Sequence, residues 1–253
     1  MTDFDHIAKE YDKDFTDTLI GNSQRAIVWK KLKRQLNSSS RVLEINCGTG
    51  SDAAYMQSLG ADIFATDISP EMVKVTQDKI GANNAGVMDI KHPIASNFSF
   101  VNTVFSNFGG LNCISPKEWN VWVQFLQDNL PKNARVIFVI MSKNCWMENW
   151  YFKRKGSKIW NRNTDQPITA NVEGKLVNTW YYSPDEIVAF MKDGFIKTDL
   201  APVGLFIPPS YLEKYMLKHK FLFRVLVFLD KIFRNFSVLS KNADHFYIEF
   251  QKI

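Results

Sequence analysis

Cysteine and histidine are both scarce in this sequence. The 253 residues include three cysteines and four histidines, and their spacing does not match that of metal ligands. An odd number of cysteines cannot pair into a complete disulfide framework, so we expect reduced thiols and a cytoplasmic location. These absences exclude a disulfide-stapled secreted domain, and we expect no metal cofactor.

Long apolar runs are missing as well. No stretch approaches the roughly eighteen apolar residues that a membrane-spanning helix needs, and the acidic start Met1–His6 lacks the features of a signal peptide. Hydrophobic residues nevertheless make up 45% of the chain, which is ample for a buried core. We therefore expect one large domain over residues 1–253.

Basic residues are concentrated in two segments. Residues 143–163 contain six Lys or Arg against one acidic residue, and residues 211–241 contain seven against two. Each surplus equals the net charge of the whole chain, which is +5. Such asymmetry indicates an anionic substrate, a membrane surface or nucleic acid as a partner, or else two solvated helix faces.

Strand-like and helix-like segments alternate over much of the chain. Serine–proline pairs, which favour the first turn of a helix, occur at Ser69, Ser115 and Ser183. This alternation predicts βαβ units and a mostly parallel sheet. The predicted strands are 41–46, 62–66, 86–88, 100–106, 134–141, 195–201 and 245–250. The predicted helices are 4–36, 51–59, 70–80, 116–130, 183–193 and 210–236.

A glycine-containing turn follows the first predicted strand. Arg41-Val-Leu-Glu-Ile-Asn-Cys-Gly-Thr-Gly50 leads directly into the helix 51–59. Glycine allows backbone to approach a ligand closely, and a helix N-terminus offers free N–H groups. Asp67 ends the second strand, which is where an acidic side chain holds a ribose diol in doubly wound folds. The pattern predicts a nucleoside-binding corner.

Three segments resemble the class I S-adenosylmethionine-dependent methyltransferases of the small-molecule type. They are residues 42–50, 65–72 and 86–90, in order, and the resemblance covers roughly residues 40–142. One departure is Asn46, where the family usually has glycine, although asparagine tolerates left-handed backbone. The resemblance implies a doubly wound, Rossmann-like α/β fold. Its seven-stranded sheet is mostly parallel with an antiparallel last strand, and helices cover both faces.

The resemblance also implies S-adenosyl-L-methionine as cofactor and S-adenosyl-L-homocysteine as product. Glu44 would organise the glycine turn, Asp67 would accept from the ribose hydroxyls and Asp89 from the adenine amine. Residues 1–36 would form an N-terminal helical lid over the methionine part. The predicted cofactor-binding residues are Tyr11, Glu44, Asn46, Gly48, Gly50, Asp67, Ile68, Asp89, Ile90 and Ser106.

Residues 143–182 form an aromatic and basic insertion that contains four of the seven tryptophans. A pocket lined by such rings suits a flat or lipidic molecule, so we predict a substrate lid, with an ordinary secondary core as the alternative. The predicted substrate residues are Asn107, Trp146, Trp150 and Tyr181. We assign no catalytic base, because methyl transfer gains mainly from proximity and orientation.

The stretch 210–236 is apolar nearly all round, with lysines and arginines interrupting it. We expect one long helix that packs on the sheet and lines the acceptor cavity. The alternative is a basic amphipathic helix that makes peripheral contact with a membrane.

Together these patterns predict a methyltransferase that acts on a small hydrophobic acceptor. Aromatic and anionic molecules are among the acceptors that we consider. Methylation on oxygen is favoured over nitrogen or carbon. The sequence pI of about 9.0 keeps an RNA or tRNA methyltransferase open, although no RNA-binding domain is apparent and we expect no DNA partner. A non-catalytic binding protein and a nicotinamide-dependent oxidoreductase also stay open; Ala53 replaces the third glycine that the oxidoreductase fingerprint needs.

Overall fold

The computed structural model describes residues 5, 8, 10–95, 98, 100–156, 162–172 and 175–253. The strands in these ranges are β1 (Arg41–Ile45), β2 (Asp62–Asp67), β3 (Ala85–Val87), β4 (Thr103–Ser106), β5 (Arg135–Met141), β6 (Ile168–Val172), β7 (Lys175–Thr179), β8 (Phe195–Val203) and β9 (His245–Lys252). The helices are α1 (Leu19–Gln35), α2 (Ser51–Ser58), α3 (Pro70–Ile80), α4 (Pro116–Asn129), α5 (Trp146–Lys155), α6 (Pro184–Met191), α7 (Glu213–Lys218) and α8 (Lys220–Phe233).

Seven strands form one sheet in the order β3-β2-β1-β4-β5-β9-β8, while β6 and β7 form a separate hairpin. The first five strands pair in parallel, whereas β9 is antiparallel to both β5 and β8. This arrangement confirms the expected mostly parallel sheet with an antiparallel last strand. Chain order reverses between β1 and β4, so their carboxyl ends flank the crevice where doubly wound folds bind ligands.

Apolar layers cover both faces of the sheet. Residues of α1, α2 and α3 pack over Val42 and Ala65 on one face, and α4 and α6 contribute Trp119 and Ile187 to the layer on the other. Residues 136–140 of β5 are buried, as a continuous apolar run predicts for a strand covered on both sides. The double cover confirms the expected Rossmann-like packing.

The prediction of one helix over 210–236 is wrong. A 3-10 turn precedes α7, and His219, with φ −120° and ψ 50°, separates α7 from α8. Each helix has its own tertiary anchor: the Glu213 carboxylate accepts from the backbone N–H groups of Leu19 and Ile20, and Asp230 binds the loop after β8. Because these anchors fix the two helices separately, continuous helix propensity does not decide the outcome.

The N-terminal region and the insertion also differ in detail from expectation. Residues 12–16 form a single π-helical turn before α1, and Thr18 caps α1 by accepting from the N–H of Gly21. Residues 4, 6–7 and 9 of the predicted helix 4–36, and residues 1–3 of the predicted lid, lie outside the described residues. The insertion contains α5 and the hairpin β6–β7. No helix in the described ranges combines the length and the apolar character needed to cross a membrane.

Candidate active site

The glycine turn after β1 is built from left-handed backbone. Asn46, Gly48 and Gly50 have φ values of 56°, 53° and 73°, a region that L side chains seldom adopt. A Cβ on Gly50 would lie 2.6 Å from Cγ2 of Thr76, while the Thr76 hydroxyl donates to the Gly48 carbonyl at 2.9 Å. The turn is thus fixed both by glycine and by α3 packed against it.

Asparagine at position 46 is accommodated by a second glycine. A Cβ on Gly110 would lie 2.3 Å from Cβ of Asn46, so only glycine fits beside this side chain. Nδ2 of Asn46 lies 3.5 Å from the Ser106 hydroxyl, to which it donates. The departure from glycine at position 46 therefore leaves the turn intact and links it to the end of β4.

The Asp67 carboxylate lies directly beneath this turn. It accepts hydrogen bonds from the backbone N–H groups of Gly48 and Ser69, both at 2.9 Å, and Asp67 is only 8% exposed. Burial raises the pKa of Asp67 above its ordinary value, although these N–H groups oppose the shift. A carboxylate offers about four lone pairs, so Asp67 can accept two more hydrogen bonds from a diol.

Glu44 provides a second buried carboxylate at the same corner. It is 1% exposed, and its Oε2 is buried without a hydrogen-bond partner. Burial, followed by the charge of Asp52, raises the pKa of Glu44 well above its ordinary value. Because buried polar atoms are nearly always hydrogen-bonded, this oxygen is a natural acceptor for an N–H or O–H group of a ligand.

The other predicted cofactor residues lie at the same edge of the sheet. Ile68 is exposed beside Asp67, whereas Ile90 and Ser106 are buried. The Asp89 carboxylate accepts from the Lys91 N–H at 2.9 Å and lies 3.1 Å from Nδ1 of His92. Asp89 therefore stabilises its own turn, and its contact with adenine stays a prediction.

The N-terminal segment lies across the glycine turn. The Asp12 carboxylate accepts from the Thr49 hydroxyl and from Nζ of Lys79, both at 2.5 Å. Tyr11 packs against a small cluster that includes Met72 at the start of α3. Burial, opposed by the charge of Arg25, raises the pKa of Tyr11. These contacts agree with the predicted lid, whose function stays a prediction.

The loop after β4 is held by a buried polar network. Nδ2 of Asn107 donates to Asp52 at 2.9 Å, Trp29 donates to the same carboxylate at 2.6 Å, and Arg25 forms an ion pair with it. Asn107 thus fixes the loop through its amide, and its predicted contact with substrate is untested. Phe108 has a φ of 44°, a strained conformation for a bulky residue that often marks a functional site.

His245, predicted only as the start of the last strand, lies at this edge of the sheet as well. It begins β9 opposite Met141 at the end of β5, and its ring centroid lies 5.2 Å from that of Phe108. Its Nδ1 is 3.1 Å from Oδ2 of Asp244. Burial alone would raise the pKa of Asp244, but His245 and Arg162 hold it below its ordinary value. Because the last strand is antiparallel, its first residue lies at the carboxyl edge of the parallel strands. The predicted antiparallel strand was therefore the feature of the sequence that could have placed His245 at the site.

The insertion is docked beside His245 by buried charges. Arg162 forms a bidentate pair with Glu148, with distances of 3.0 and 2.5 Å, and a further ion pair with Asp244 at 2.9 Å. The Arg162 guanidinium also lies 5.0 Å from the centroid of the Tyr181 ring. The Tyr211 hydroxyl donates to Glu148 at 3.0 Å. Tyr181 thus reaches the polar network that contains the Asp244–His245 pair.

The two tryptophans that were predicted to contact the substrate lie on α5, and both are partly exposed to solvent. Nε1 of Trp146 donates to the Leu205 carbonyl, and its ring packs edge-on against Phe206. Trp150 is exposed, with the Arg154 guanidinium 5.4 Å from its ring centroid. The structure therefore links Tyr181 through Arg162 to Asp244, which precedes His245, but joins Trp146 to the loop after β8. Among the described residues, no group of three or more His, Cys, Asp or Glu could hold a metal ion.

Comparison with known proteins gives matches over the same corner. Residues 42–133 match the family described as a methyltransferase domain. A magnesium-protoporphyrin O-methyltransferase of Rhodobacter capsulatus is 29% identical over 85 residues, which cover 32% of this chain and 38% of that enzyme. An uncharacterised protein of Methanocaldococcus jannaschii is 28% identical over 233 residues, covering 84% and 85% of the two chains.

The fold is shared with solved structures. A crystal structure described as a SAM-dependent methyltransferase of Methanosarcina mazei superposes with a TM-score of 0.60 and 16% identity. The alignment covers 87% of this chain and 95% of that one. At this identity the likeness concerns the fold, which agrees with the strand order described above.

Proposed function

We propose that the chain is a class I S-adenosylmethionine-dependent methyltransferase that transfers a methyl group from S-adenosyl-L-methionine to a small, largely hydrophobic acceptor, with support from the matching domain model and the shared fold. The observation that carries the proposal is the hydrogen bond that the Gly48 N–H donates to Asp67. This bond joins the buried carboxylate to the glycine turn. A buried carboxylate that leaves two lone pairs for a diol, beneath left-handed backbone, suits an adenosyl group.

The residues of this corner fit that cofactor. Asp67 would accept from the ribose hydroxyls, Ile68 would pack on the adenine ring, and the unpartnered Oε2 of Glu44 would accept from the amino-acid part. When bound, the cofactor supplies an electrophilic methyl group on a sulfonium. The chain's own contribution is to orient the acceptor and to exclude water, which can lower the barrier by about 7–11 kcal/mol.

An acceptor that is hydrophobic and partly aromatic agrees with the rings near the end of β5. Phe108, Tyr181 and the imidazole of His245 lie in or beside the network described above. The relative from Rhodobacter capsulatus is named for a porphyrin, which is a flat and hydrophobic molecule. Methylation on oxygen is our preferred chemistry, because a base is present at the same edge.

That base is His245. Nδ1 of His245 lies 3.1 Å from Oδ2 of Asp244 without hydrogen-bond geometry, and the negative charge of Asp244 would favour the tautomer with its proton on Nδ1, which leaves Nε2 as the proton acceptor. His245 would take the proton of an acceptor hydroxyl, while the charge of Asp244 would stabilise the imidazolium that forms. Gln24, which donates to Asp244 at 3.1 Å, and Arg162 keep this carboxylate charged.

A turnover assay with a radiolabelled methyl donor tests the proposal. The acceptor panel consists of phenols, aromatic carboxylates, porphyrins, primary amines and tRNA. We expect label on an aromatic hydroxyl or carboxylate, and none on tRNA. Label on tRNA alone would refute the choice of acceptor, and failure of the protein to bind S-adenosyl-L-homocysteine would refute catalysis itself.

A further inference from the structure

Helix α8 presents an apolar face to solvent. Phe221 is 81% exposed and Phe228 is 61% exposed. Positions three, four and seven residues apart share one face of a helix, and four exposed apolar residues follow this spacing: Phe221, Val225, Phe228 and Ile232. The opposite side, with Phe223 and Asp230, is buried in the protein. The side chains of Phe221 and Phe228 therefore lie largely outside the packing of the described part of the chain.

The acidic residue of α8 points inward. The Asp230 carboxylate accepts from the backbone N–H groups of Leu205 at 2.9 Å and Ile207 at 2.7 Å, and Asp230 is buried. It is the one Asp or Glu within α8. The outward surface of this helix consequently carries no negative charge.

Basic residues form one border of the apolar face. Lys220, Arg224 and Lys231 line a surface groove of about 600 Å³ between α8 and α1. Among the described residues that line this groove, none is acidic. The charge of Arg234 is the main cause of a lowered pKa for Lys30 on α1, so further positive charge lies beside this groove. An apolar face with a cationic border is complementary to an anionic lipid surface.

We propose that α8 lies in the interface of an anionic membrane, with Phe221 and Phe228 among the acyl chains and Lys220, Arg224 and Lys231 at lipid phosphates. Basic amphipathic helices bind in this way, and each basic residue adds about fivefold to the affinity. A second copy of this chain fits less well, because the outward surface of α8 offers no acidic residue to pair with the basic border of the other copy. This surface is independent of the proposed methyl transfer.

Edge-to-face and tilted aromatic contacts link the end of α8 to the insertion. Trp146 lies 5.2 Å from Phe206, and Phe206 lies 5.4 Å from Phe233 at the end of α8, measured between ring centroids. These contacts join the C-terminal end of α8 to α5 through the loop after β8.

Vesicle flotation of the full chain tests this inference. We expect the protein to float with vesicles of phosphatidylcholine and phosphatidylglycerol and to bind phosphatidylcholine alone far more weakly. The triple variant K220Q/R224Q/K231Q should lose about a hundredfold in binding to the anionic vesicles. The double variant F221S/F228S should lose at least about tenfold. Thermal unfolding midpoints equal to wild type would show that both variants are folded.

Two matched variants serve as controls. Phe100→Ser removes a 73% exposed phenylalanine that precedes β4, and Lys132→Gln removes an exposed lysine that precedes β5. Both lie at the amino edge of the sheet, away from α8, so vesicle binding should be unchanged. Binding by F221S/F228S equal to wild type, or equal binding to neutral and anionic vesicles, would overturn the inference.

Two other possible partners of this helix, a second copy of the chain and a nucleic acid, would give different results. A dimer that forms without lipid and dissociates in F221S/F228S, as judged by analytical ultracentrifugation, would assign the face to a second copy. Binding to tRNA that K220Q/R224Q/K231Q abolishes, without any flotation of the wild-type chain, would assign the basic border to nucleic acid. Either result would refute the membrane proposal.

Discussion

The glycine-turn corner and the segment from α5 to α8 lie at the same edge of the sheet, but different interactions hold them together. The corner depends on backbone: left-handed residues and N–H groups that donate to Asp67. The later segment depends on side chains far apart in the sequence, such as Arg162 with Asp244. Backbone requirements restrict residue type and so mark the sequence, whereas long-range ion pairs leave no local pattern.

The largest effect is expected from removal of the proposed base, His245, which lies beside the region that side-chain contacts hold together. His245→Gln keeps a polar side chain of similar reach but removes the proton acceptor, so we expect kcat to fall by about 10²–10⁴-fold with hydroxyl acceptors. Affinity for S-adenosyl-L-homocysteine should be unchanged. The acidic limb of the pH profile of kcat should vanish, which a purely structural residue would not cause. An unchanged pH profile would remove His245 from the chemistry.

A second test compares two glycines in left-handed conformations. Gly50→Ala introduces both backbone strain and a clash with Thr76, so unfolding in urea should show a loss of about 2–4 kcal/mol. In Gly156→Ala nothing lies within 4 Å of the new Cβ, and only the strain of about 1–2 kcal/mol remains. Equal losses in the two variants would mean that the packing of Thr76 does not fix the turn.

A third test concerns the insertion. Tyr181→Ala removes the ring beside Arg162 and should raise the KM for the acceptor by about two- to tenfold, since an aromatic contact at a binding site contributes about 0.5–1.5 kcal/mol. Trp150→Ala, on the exposed side of α5, should change KM by less than about twofold. A larger rise in KM for Trp150→Ala than for Tyr181→Ala would place the acceptor against the exposed side of α5. Trp150 was also predicted from the sequence to contact the substrate.

The smallest effect is expected at position 46. Asn46→Gly removes the strain of a side chain in left-handed backbone but leaves a gap beside Gly110. The two changes oppose each other, so unfolding free energy should shift by less than about 1 kcal/mol. Cofactor-product affinity, measured by calorimetry, should stay within about threefold of wild type. A larger loss would give Asn46 a direct contact with the ligand.

The sequence predicted the sheet and the corner well because both are encoded locally. The run 135–141 identifies a covered strand, and Ser69, Ser115 and Ser183 each cap the helix that they were expected to begin. The break at His219 and the placement of His245 could not be predicted in the same way. Both follow from contacts between distant segments, namely Glu213 with α1 and β9 with β5.

Binding of S-adenosyl-L-homocysteine to Asp67 variants tests the central claim most directly. Isothermal titration should give one site in wild type and a loss of about a hundredfold or more in Asp67→Ala, since two charge-assisted hydrogen bonds are removed. Asp67→Asn should lie between them. Asp62→Ala, at the exposed start of the same strand, is the matched control and should bind like wild type. Equal affinity of Asp67→Ala and wild type would contradict the account.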